Sequence, residues 1–266
     1  NYSQQTYSGI VLEFRPQYFL PISTMWLILN IVLLTCIEKY NFHLFKQTVD
    51  YTDCVELNVK CSDKIAKERP PNCICSVKIG IKNDLNQPVY ISYQVKGFHQ
   101  NMKSYYISFE PLQLNGIIPE IPREQCGEWR KSNKKWVMPC GALAHSLFND
   151  TFNFFSDEDK NKYKLAYIPL IKSDRSKFKN PDIPEGKTLD DIYQPFSPPV
   201  SWRRPLSKFD MVNKEYNGAQ NPDFVNWMIP SPLATFVKPY RIITGQSILS
   251  SGNYTITIEY SLILFK

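Results

Sequence analysis

The sequence has few of the residues on which many nucleotide-binding and hydrolytic enzymes depend. Only 10 of its 266 residues are glycine and three are histidine. It contains no glycine-rich phosphate-binding loop, no G-x-S-x-G, no H-E-x-x-H and no D-K-T-G sequence. These absences exclude P-loop nucleotide binding, the usual serine-hydrolase and zinc-protease sites, and self-phosphorylation of the kind that P-type pumps use.

The histidines and acidic residues do not form a recognisable metal or catalytic motif. His43, His99 and His145 are far apart in the sequence, and we interpret them as solvated or structural. Asp157 and Asp159 form a D-x-D of the kind that holds a metal in sugar-nucleotide transferases, but lysines flank it. A solvated acidic turn is the simpler interpretation. The sequence therefore predicts neither a metal nor another cofactor.

One long segment lacks charge altogether. Residues 16–37 include no Asp, Glu, Lys, Arg or His, and Tyr18–Ile37 has the roughly 20 apolar residues of a membrane-spanning helix. We therefore predict a cytosolic or interfacial segment over residues 1–17 and a transmembrane helix over residues 18–37. Within it, Asn30 is expected to face a partner helix or a backbone carbonyl.

The cysteines and glycosylation sequons place residues 38–266 outside the cytosol. Asn149 and Asn253 each begin an N-x-S/T sequon, on the same side of the span as six of the seven cysteines. An even number of cysteines together with glycan acceptors is typical of an oxidising lumen or the cell exterior, which excludes nucleic acid as a partner. Spacing argues against a zinc site and leaves on the order of fifteen disulfide pairings open. These six residues are Cys54, Cys61, Cys73, Cys75, Cys126 and Cys140.

Abundant proline (20 residues) and aromatic side chains (14%) favour a β-rich, loop-rich domain. The cysteine-rich region 54–75 has too little periodicity to predict a helix or a strand, and region 172–209 is expected to cross the surface. The fold class predicted is a membrane-anchored α+β ectodomain with an antiparallel, β-sandwich-like body, short helices and long loops. Strands are predicted over Cys75–Ile81, Pro88–Val95, Ser104–Phe109 and Gly252–Leu264, and helices over Gly141–Phe152 and Pro222–Met228.

Several motifs, in order along the chain, resemble those of one family. The longest is PCGALAHSLFNDTF, residues 139–152; FHQN, residues 98–101, differs from the family's F-Y-Q-N by its histidine. The sequence is similar to the accessory β-subunits of type-IV P-type ATPases, the phospholipid flippases, which form the cell division control fifty or ligand-effect modulator three family. The other motifs are Asp50-Tyr51-Thr52, Leu114-Asn115-Gly116, KFKNP (177–181), PDFVNWM (222–228) and Gly252–Tyr260.

The resemblance implies properties that spacing does not give. It implies a nested Cys54–Cys75 and Cys61–Cys73 pair and a Cys126–Cys140 bond, although region 54–75 is longer than the family's usual cysteine cluster. It also implies glycans on Asn149 and Asn253, and a second membrane helix after the last strand. We accordingly interpret the sequence as an excerpt of a longer protein.

By the same resemblance, the chain is expected to be a non-catalytic subunit that forms a heterodimer with an ATPase α-subunit. It would contact membrane lipids, carry N-linked glycans, need no cofactor, and support the folding, export, stability and transport cycle of its partner. The expected location is the endoplasmic reticulum, Golgi or plasma membrane. Two other classes remain open: a single-span luminal enzyme, similar to a metal-dependent glycosyltransferase and relying on Asp157 and Asp159, and a stand-alone receptor or adhesion ectodomain.

Overall fold

The computed structural model describes residues 16–42, 45–67, 73–158, 163–245 and 247–260. It divides into two units, residues 1–48 and residues 49–266, which are described separately.

The first unit contains a long apolar helix, α1 (Pro16–Phe42). Its stretch Phe19–Tyr40 has 22 residues and a mean hydropathy of 2.1, so it is long and apolar enough to cross a membrane. Asn30 Nδ2 donates to the carbonyl of Trp26 at 2.7 Å. The amide is thus satisfied by a backbone carbonyl, one of the two arrangements expected from the sequence.

The second unit is rich in strands and has short helices. Its strands are β1 (Val55–Glu56), β2 (Val59–Lys60), β3 (Cys73–Ile81), β4 (Leu85–Asn86), β5 (Val89–Val95), β6 (Lys131–Ser132), β7 (Lys135–Trp136), β8 (Thr151–Ser156), β9 (Lys164–Tyr167), β10 (Phe236–Thr244), β11 (Ile248–Leu249) and β12 (Gly252–Tyr260). Its helices are α2 (Cys61–Lys67), α3 (Lys103–Tyr106), α4 (Pro111–Leu114), α5 (Ala142–His145), α6 (Lys172–Arg175), α7 (Leu189–Tyr193) and α8 (Pro222–Trp227), with 3-10 turns at Glu124–Arg130, Leu206–Lys208 and Lys214–Tyr216.

Two three-stranded antiparallel sheets form the framework. One has the order β3-β12-β8 and the other β5-β10-β9. Strand β12 is central in the first sheet, where Ile258 lies opposite Cys75 and Phe152. Tyr254 and Ile258 are buried, as its alternating sequence predicts. Side chains from both sheets meet in one apolar cluster, which includes Phe154 of β8 and Ile243 of β10.

Three predictions about secondary structure are wrong. Ser104–Phe109 is not a strand: α3 occupies its first half, and the ring of Tyr105 packs edge-on against Phe98. The helix predicted over Gly141–Phe152 is confined to α5, because Thr151 onward pairs with β12 instead. Tertiary pairing thus overrode the local preference of both segments.

The third wrong prediction concerns region 54–75. It contains a two-stranded hairpin, β1–β2, followed directly by α2. These elements are too short for a hydrophobic period to appear in the sequence, and two disulfides hold them to the start of β3.

The main core also draws on region 172–209, which was expected to cross the surface. Phe178, Tyr193, Trp202 and Leu206 from this region are buried in the same cluster as Phe224 and Trp227 of α8. The residues between them are mostly polar, so the buried residues have no regular spacing in the sequence. Their contribution to the core therefore could not be predicted from periodicity. The region is therefore a set of loops fastened to the core by apolar side chains.

Candidate functional site

Residues 139–152, the longest motif of the family resemblance, which we call the family block, are mostly buried in the second unit. Helix α5 has only one turn, so its carbonyl groups need partners outside the helix. The indole Nε1 of Trp202 donates to the carbonyl of Ala144 at 2.9 Å, and that of Trp227 donates to the carbonyl of Leu143 at 3.0 Å. Two distant segments are thereby fixed to the same helical turn.

The start of α5 is held just as closely. The amide of Ala142 donates to Ser108 Oγ at 3.0 Å, and the amide of Leu143 donates to the Ser108 carbonyl at 3.3 Å. Gly141 has φ +106°, and a Cβ placed there would lie 2.1 Å from that carbonyl oxygen. Glycine is therefore the residue that this close approach of two backbones requires.

Two buried polar residues next to this block were missed by sequence reasoning. Gln113 donates through Nε2 to the Val137 carbonyl at 3.2 Å and accepts from the Cys140 amide at 2.9 Å. Glu110 accepts from the amides of Leu112 and Arg123, at 3.1 and 2.7 Å. Glu110 caps α4 and Gln113 lies within it. A lone Gln or Glu at such a short helix carries no sequence signal, since only the fold reveals that its partners are backbone groups.

The six outer cysteines form three disulfides in the structure. Cys54 is bonded to Cys75, Cys61 to Cys73, and Cys126 to Cys140, with Cα–Cα distances of 6.1, 5.5 and 5.7 Å. These are the pairs that the family resemblance implies. The third bond joins the 3-10 turn at Glu124–Arg130 to the residue just before Gly141, and both of its sulfurs belong to fully buried residues. Two disulfides thus hold region 54–61 to β3, and the third holds the 3-10 turn to the residue before Gly141.

The start of the second unit is tied to the family block by a tyrosine. Tyr51 donates its hydroxyl to Asp150 Oδ2 at 3.0 Å, and Asp150 is 2% exposed. The ring of Tyr51 also packs edge-on against Phe152 and Tyr260. Burial, reinforced by the Asp150 carboxylate, raises the pKa of Tyr51 well above its ordinary value. The hydroxyl therefore stays protonated and remains a donor.

We expect Tyr51→Phe to lower the free energy of unfolding by about 1.5–3 kcal/mol, because it removes a donor from a buried carboxylate. Urea denaturation of the purified full chain, followed by fluorescence, measures this change. Tyr90→Phe is the matched control, since Tyr90 is 56% exposed, and it should leave stability unchanged. Equal midpoints for the two variants would show that the Tyr51–Asp150 contact contributes nothing.

The end of β12 is fixed by a second polar cluster. Arg203 donates through Nη1 to Glu259 Oε1 at 2.6 Å and through Nη2 to the Tyr260 carbonyl at 3.1 Å. Thr151 donates its hydroxyl to Glu259 Oε2 at 2.8 Å. The ring contact of Tyr51 with Tyr260 brings together residues near the two ends of the described part of this unit.

Two further family motifs, FHQN and PDFVNWM, hold separate segments of the chain together. Gln100 accepts from the Ser231 amide at 2.9 Å, and Asn101 donates to the Pro232 carbonyl at 3.0 Å. Asp223 of α8 receives two hydrogen bonds from the Arg241 guanidinium, at 2.5 and 2.7 Å. That guanidinium carbon lies 4.0 and 3.9 Å from the ring centroids of Tyr167 and Tyr240. These motifs therefore preserve a scaffold and its surface loops.

The two sequon asparagines differ in accessibility. Asn253 is exposed on β12, whereas Asn149 is half-buried and its Nδ2 atom is buried. Accessibility by itself does not show that a glycan is attached, so glycosylation of both residues stays a prediction.

Among the described residues, those considered for metal or acid–base chemistry are not brought together. His145 is buried and stacks on Trp129 with ring centroids 3.7 Å apart, while His99 is exposed. Asp157 accepts a hydrogen bond from Thr255 at 2.5 Å, which ties a turn to β12. His43 and Asp159 lie outside the described residues. Within the described part of the chain, no three His, Cys, Asp or Glu residues are grouped as metal ligands would be.

Two small cavities lie on the second unit. One, of about 100 Å³, is lined by Trp129, His145 and Val200, and the other, of about 130 Å³, by Ile171, Asp223 and Tyr240. Pockets for small organic ligands usually measure about 300–1,000 Å³. These cavities are therefore sized for a few water molecules or for one inserted side chain.

Comparison with known proteins agrees with the motif order. Residues 40–264 match the model of the LEM3 (ligand-effect modulator 3) family / CDC50 family. Cell cycle control protein 50A of Mus musculus is 30% identical over 226 residues, which cover 80% of this chain and 61% of that protein. Cell cycle control protein 50B of Homo sapiens is 32% identical over 205 residues, or 72% of this chain and 58% of that protein.

A plant relative, ALA-interacting subunit 4 of Arabidopsis thaliana, is 26% identical over 236 residues, which cover 84% of this chain and 59% of that protein. The chain thus spans about three fifths of the length of the curated relatives it matches. Since the family match extends over most of the sequence and includes every disulfide and buried motif described above, the chain belongs to the LEM3/CDC50 family, the family of the flippase β-subunits.

Proposed function

We propose that this chain is the non-catalytic accessory subunit of a phospholipid-translocating type-IV P-type ATPase. The match of residues 40–264 to the LEM3/CDC50 family carries the proposal. The name of the plant relative, an ALA-interacting subunit, supports the idea of a subunit that assembles with a larger protein. ATP hydrolysis and lipid movement would belong to the α-subunit partner.

The proposed mechanism is stabilisation by binding. The second unit offers a rigid surface, because three disulfides and the buried hydrogen bonds around α5 fix its loops. A rigid partner surface favours whichever α-subunit conformation it contacts best and disfavours unfolding of the complex. We infer that this effect supports the folding, export and stability of the ATPase and one stage of its transport cycle.

The proposed topology follows from the apolar helix and the cysteines. Residues 18–37 would cross the membrane, residues 1–17 would lie in the cytosol or at its interface, and residues 38–266 would face the lumen or exterior. Disulfides persist in that compartment. The location would then be the endoplasmic reticulum, Golgi or plasma membrane, with lipids around α1 and N-linked glycans on Asn149 and Asn253.

The test is co-expression of the tagged chain with type-IV P-type ATPase α-subunits in cells that lack their own accessory subunit. We expect one α-subunit to co-purify at equal stoichiometry and to show phospholipid-stimulated ATP hydrolysis that falls at least tenfold without this chain. Folded, exported and equally active α-subunit in its absence would refute the proposal.

Glycosylation is tested separately, since it is independent of the partner. Asn149→Gln and Asn253→Gln should each remove one endoglycosidase-sensitive step in electrophoretic mobility of the chain made in eukaryotic cells. A mobility that neither change affects would show that these sequons are not used.

A further inference from the structure

The hairpin β1–β2 is fixed at its base by two disulfide bonds. Its six residues, Val55–Lys60, which we call the finger, lie directly between Cys54 and Cys61. These cysteines are bonded to Cys75 and Cys73 of β3. Two covalent bonds therefore hold a hairpin of two-residue strands, which would be marginal on its own.

The tip of the finger is unusual in both conformation and composition. Leu57 and Asn58 have φ +49° and +64°, the left-handed values of a two-residue hairpin turn. Such turns favour Asn and Gly, because other side chains crowd the backbone there. Leu57 nevertheless occupies the first position, and this residue is 92% exposed. The residue costs stability in the folded chain and gains no buried contact in return.

A second hairpin in the same unit shows that the turn does not require leucine. Between β6 and β7, Asn133 and Lys134 have φ +49° and +67°, nearly the same values. This turn is polar and exposed. Backbone geometry alone therefore does not account for Leu57, and the finger differs from its counterpart in chemistry rather than in shape.

Each face of the finger carries one valine and one charged residue. Val55 lies opposite Lys60, and Val59 lies opposite Glu56, so the two valines project on opposite sides. Each valine is 48% exposed. The finger therefore presents leucine at its tip and one exposed valine on each face.

The two charged residues of the finger each form an ion pair. Lys60, at the base, pairs with Asp53 at 2.8 Å, and Glu56, next to Leu57, pairs with Lys64 at 2.6 Å. These pairs reduce the cost of bringing the two charges close to a medium of low dielectric constant.

These features fit a lipid surface better than a protein partner. Three apolar side chains bury far less area than the roughly 800 Å² per partner of a stable protein interface. A bilayer, by contrast, needs no surface of complementary shape. Only the 12 residues 43–54 separate α1 from the finger, a reach of at most about 45 Å. We propose that the finger inserts Leu57 into the membrane that α1 spans under the proposed function, on which this inference rests.

The test uses the full chain reconstituted in phosphatidylcholine vesicles. A fluorescent amino acid replaces Asn58, beside the intact Leu57, or Lys134 at the matching position of the second hairpin. We expect doxyl-labelled lipid to quench position 58 at least threefold more than position 134, and aqueous iodide to quench position 134 more. Adding Leu57→Asn should reduce lipid quenching at position 58 to the level at 134 without lowering the thermal midpoint, because asparagine suits the turn.

Three results would overturn the proposal. In the first, iodide quenches positions 58 and 134 equally, while alkaline carbonate does not extract the chain from the vesicles. This result would refute insertion of the finger and leave the membrane anchor intact. Shielding of position 58 only when an ATPase α-subunit is added, or only at high chain density, would assign the finger to a protein or to a second copy. Extraction of the whole chain by carbonate would refute the anchor itself, and with it this inference.

Discussion

Gly141→Ala is expected to destabilise the chain by about 3–5 kcal/mol, enough to remove most of the stability of an ordinary domain. The substitution forces a side chain onto φ +106°, where L-residues are strained, and places its Cβ 2.1 Å from the Ser108 carbonyl oxygen. Neither backbone can move away easily, because Ser108 also accepts hydrogen bonds from the amides of Ala142 and Leu143. The yield of monodisperse protein and urea denaturation of the purified full chain measure the effect.

Gly97→Ala is the matched control for this prediction. Gly97 also has a left-handed conformation, φ +72°, but a Cβ there would have no atom within 4 Å. The cost should be limited to backbone strain, about 1 kcal/mol. If the two variants unfold at the same urea concentration, the close approach of the α5 backbone to Ser108 does not matter to stability.

Removal of the Cys126–Cys140 bond is expected to cost about 3 kcal/mol, the chain-entropy value for a loop of this length. The sequence separation is 14 residues, and the bond lies beside Gly141, so its loss also frees the turn that leads into α5. Cys126→Ser and Cys140→Ser should therefore lower the unfolding midpoint and the amount of co-purifying ATPase α-subunit together. Each serine additionally places a hydroxyl group in a fully buried position, which adds to the loss.

Cys36→Ser provides the control for the cysteine variants. Cys36 is a free, exposed cysteine of α1 and takes part in no disulfide. Its replacement should leave both the unfolding midpoint and the amount of α-subunit unchanged. Normal assembly with the α-subunit in both Cys126→Ser and Cys140→Ser would contradict the view that this bond maintains the binding surface.

Secondary structure could be predicted where a long strand carried its own alternation. β12 was found in this way, because one buried face leaves a period of two in the sequence. Most of β3 and all of β5 were found from their β-branched and aromatic residues. Segment Ser104–Phe109 misled for the opposite reason. Its aromatic residues favour strands in general, yet the packing of Tyr105 against Phe98 selected a helical turn.

The polar interior was not predictable by pattern at all. Gln113 lies in the one-turn helix α4 and Glu110 caps its start, and their partners include backbone groups 13 to 27 residues away along the chain. Arg203 reaches Glu259 across more than fifty residues. Such contacts depend on where the chain turns, which neither charge nor hydropathy records.

The sequence by itself determined the family, the apolar segment of α1 and the residues able to form disulfides, because these properties belong to side chains in a fixed order. Only the tertiary structure decided that Gly141 lies against Ser108 and that two indole groups donate hydrogen bonds to the carbonyls of α5. It also decided that Leu57 projects from a finger held by two disulfides. The physical reason is that burial, close backbone approach and exposure are relations between distant segments. They come into being only when the chain has folded.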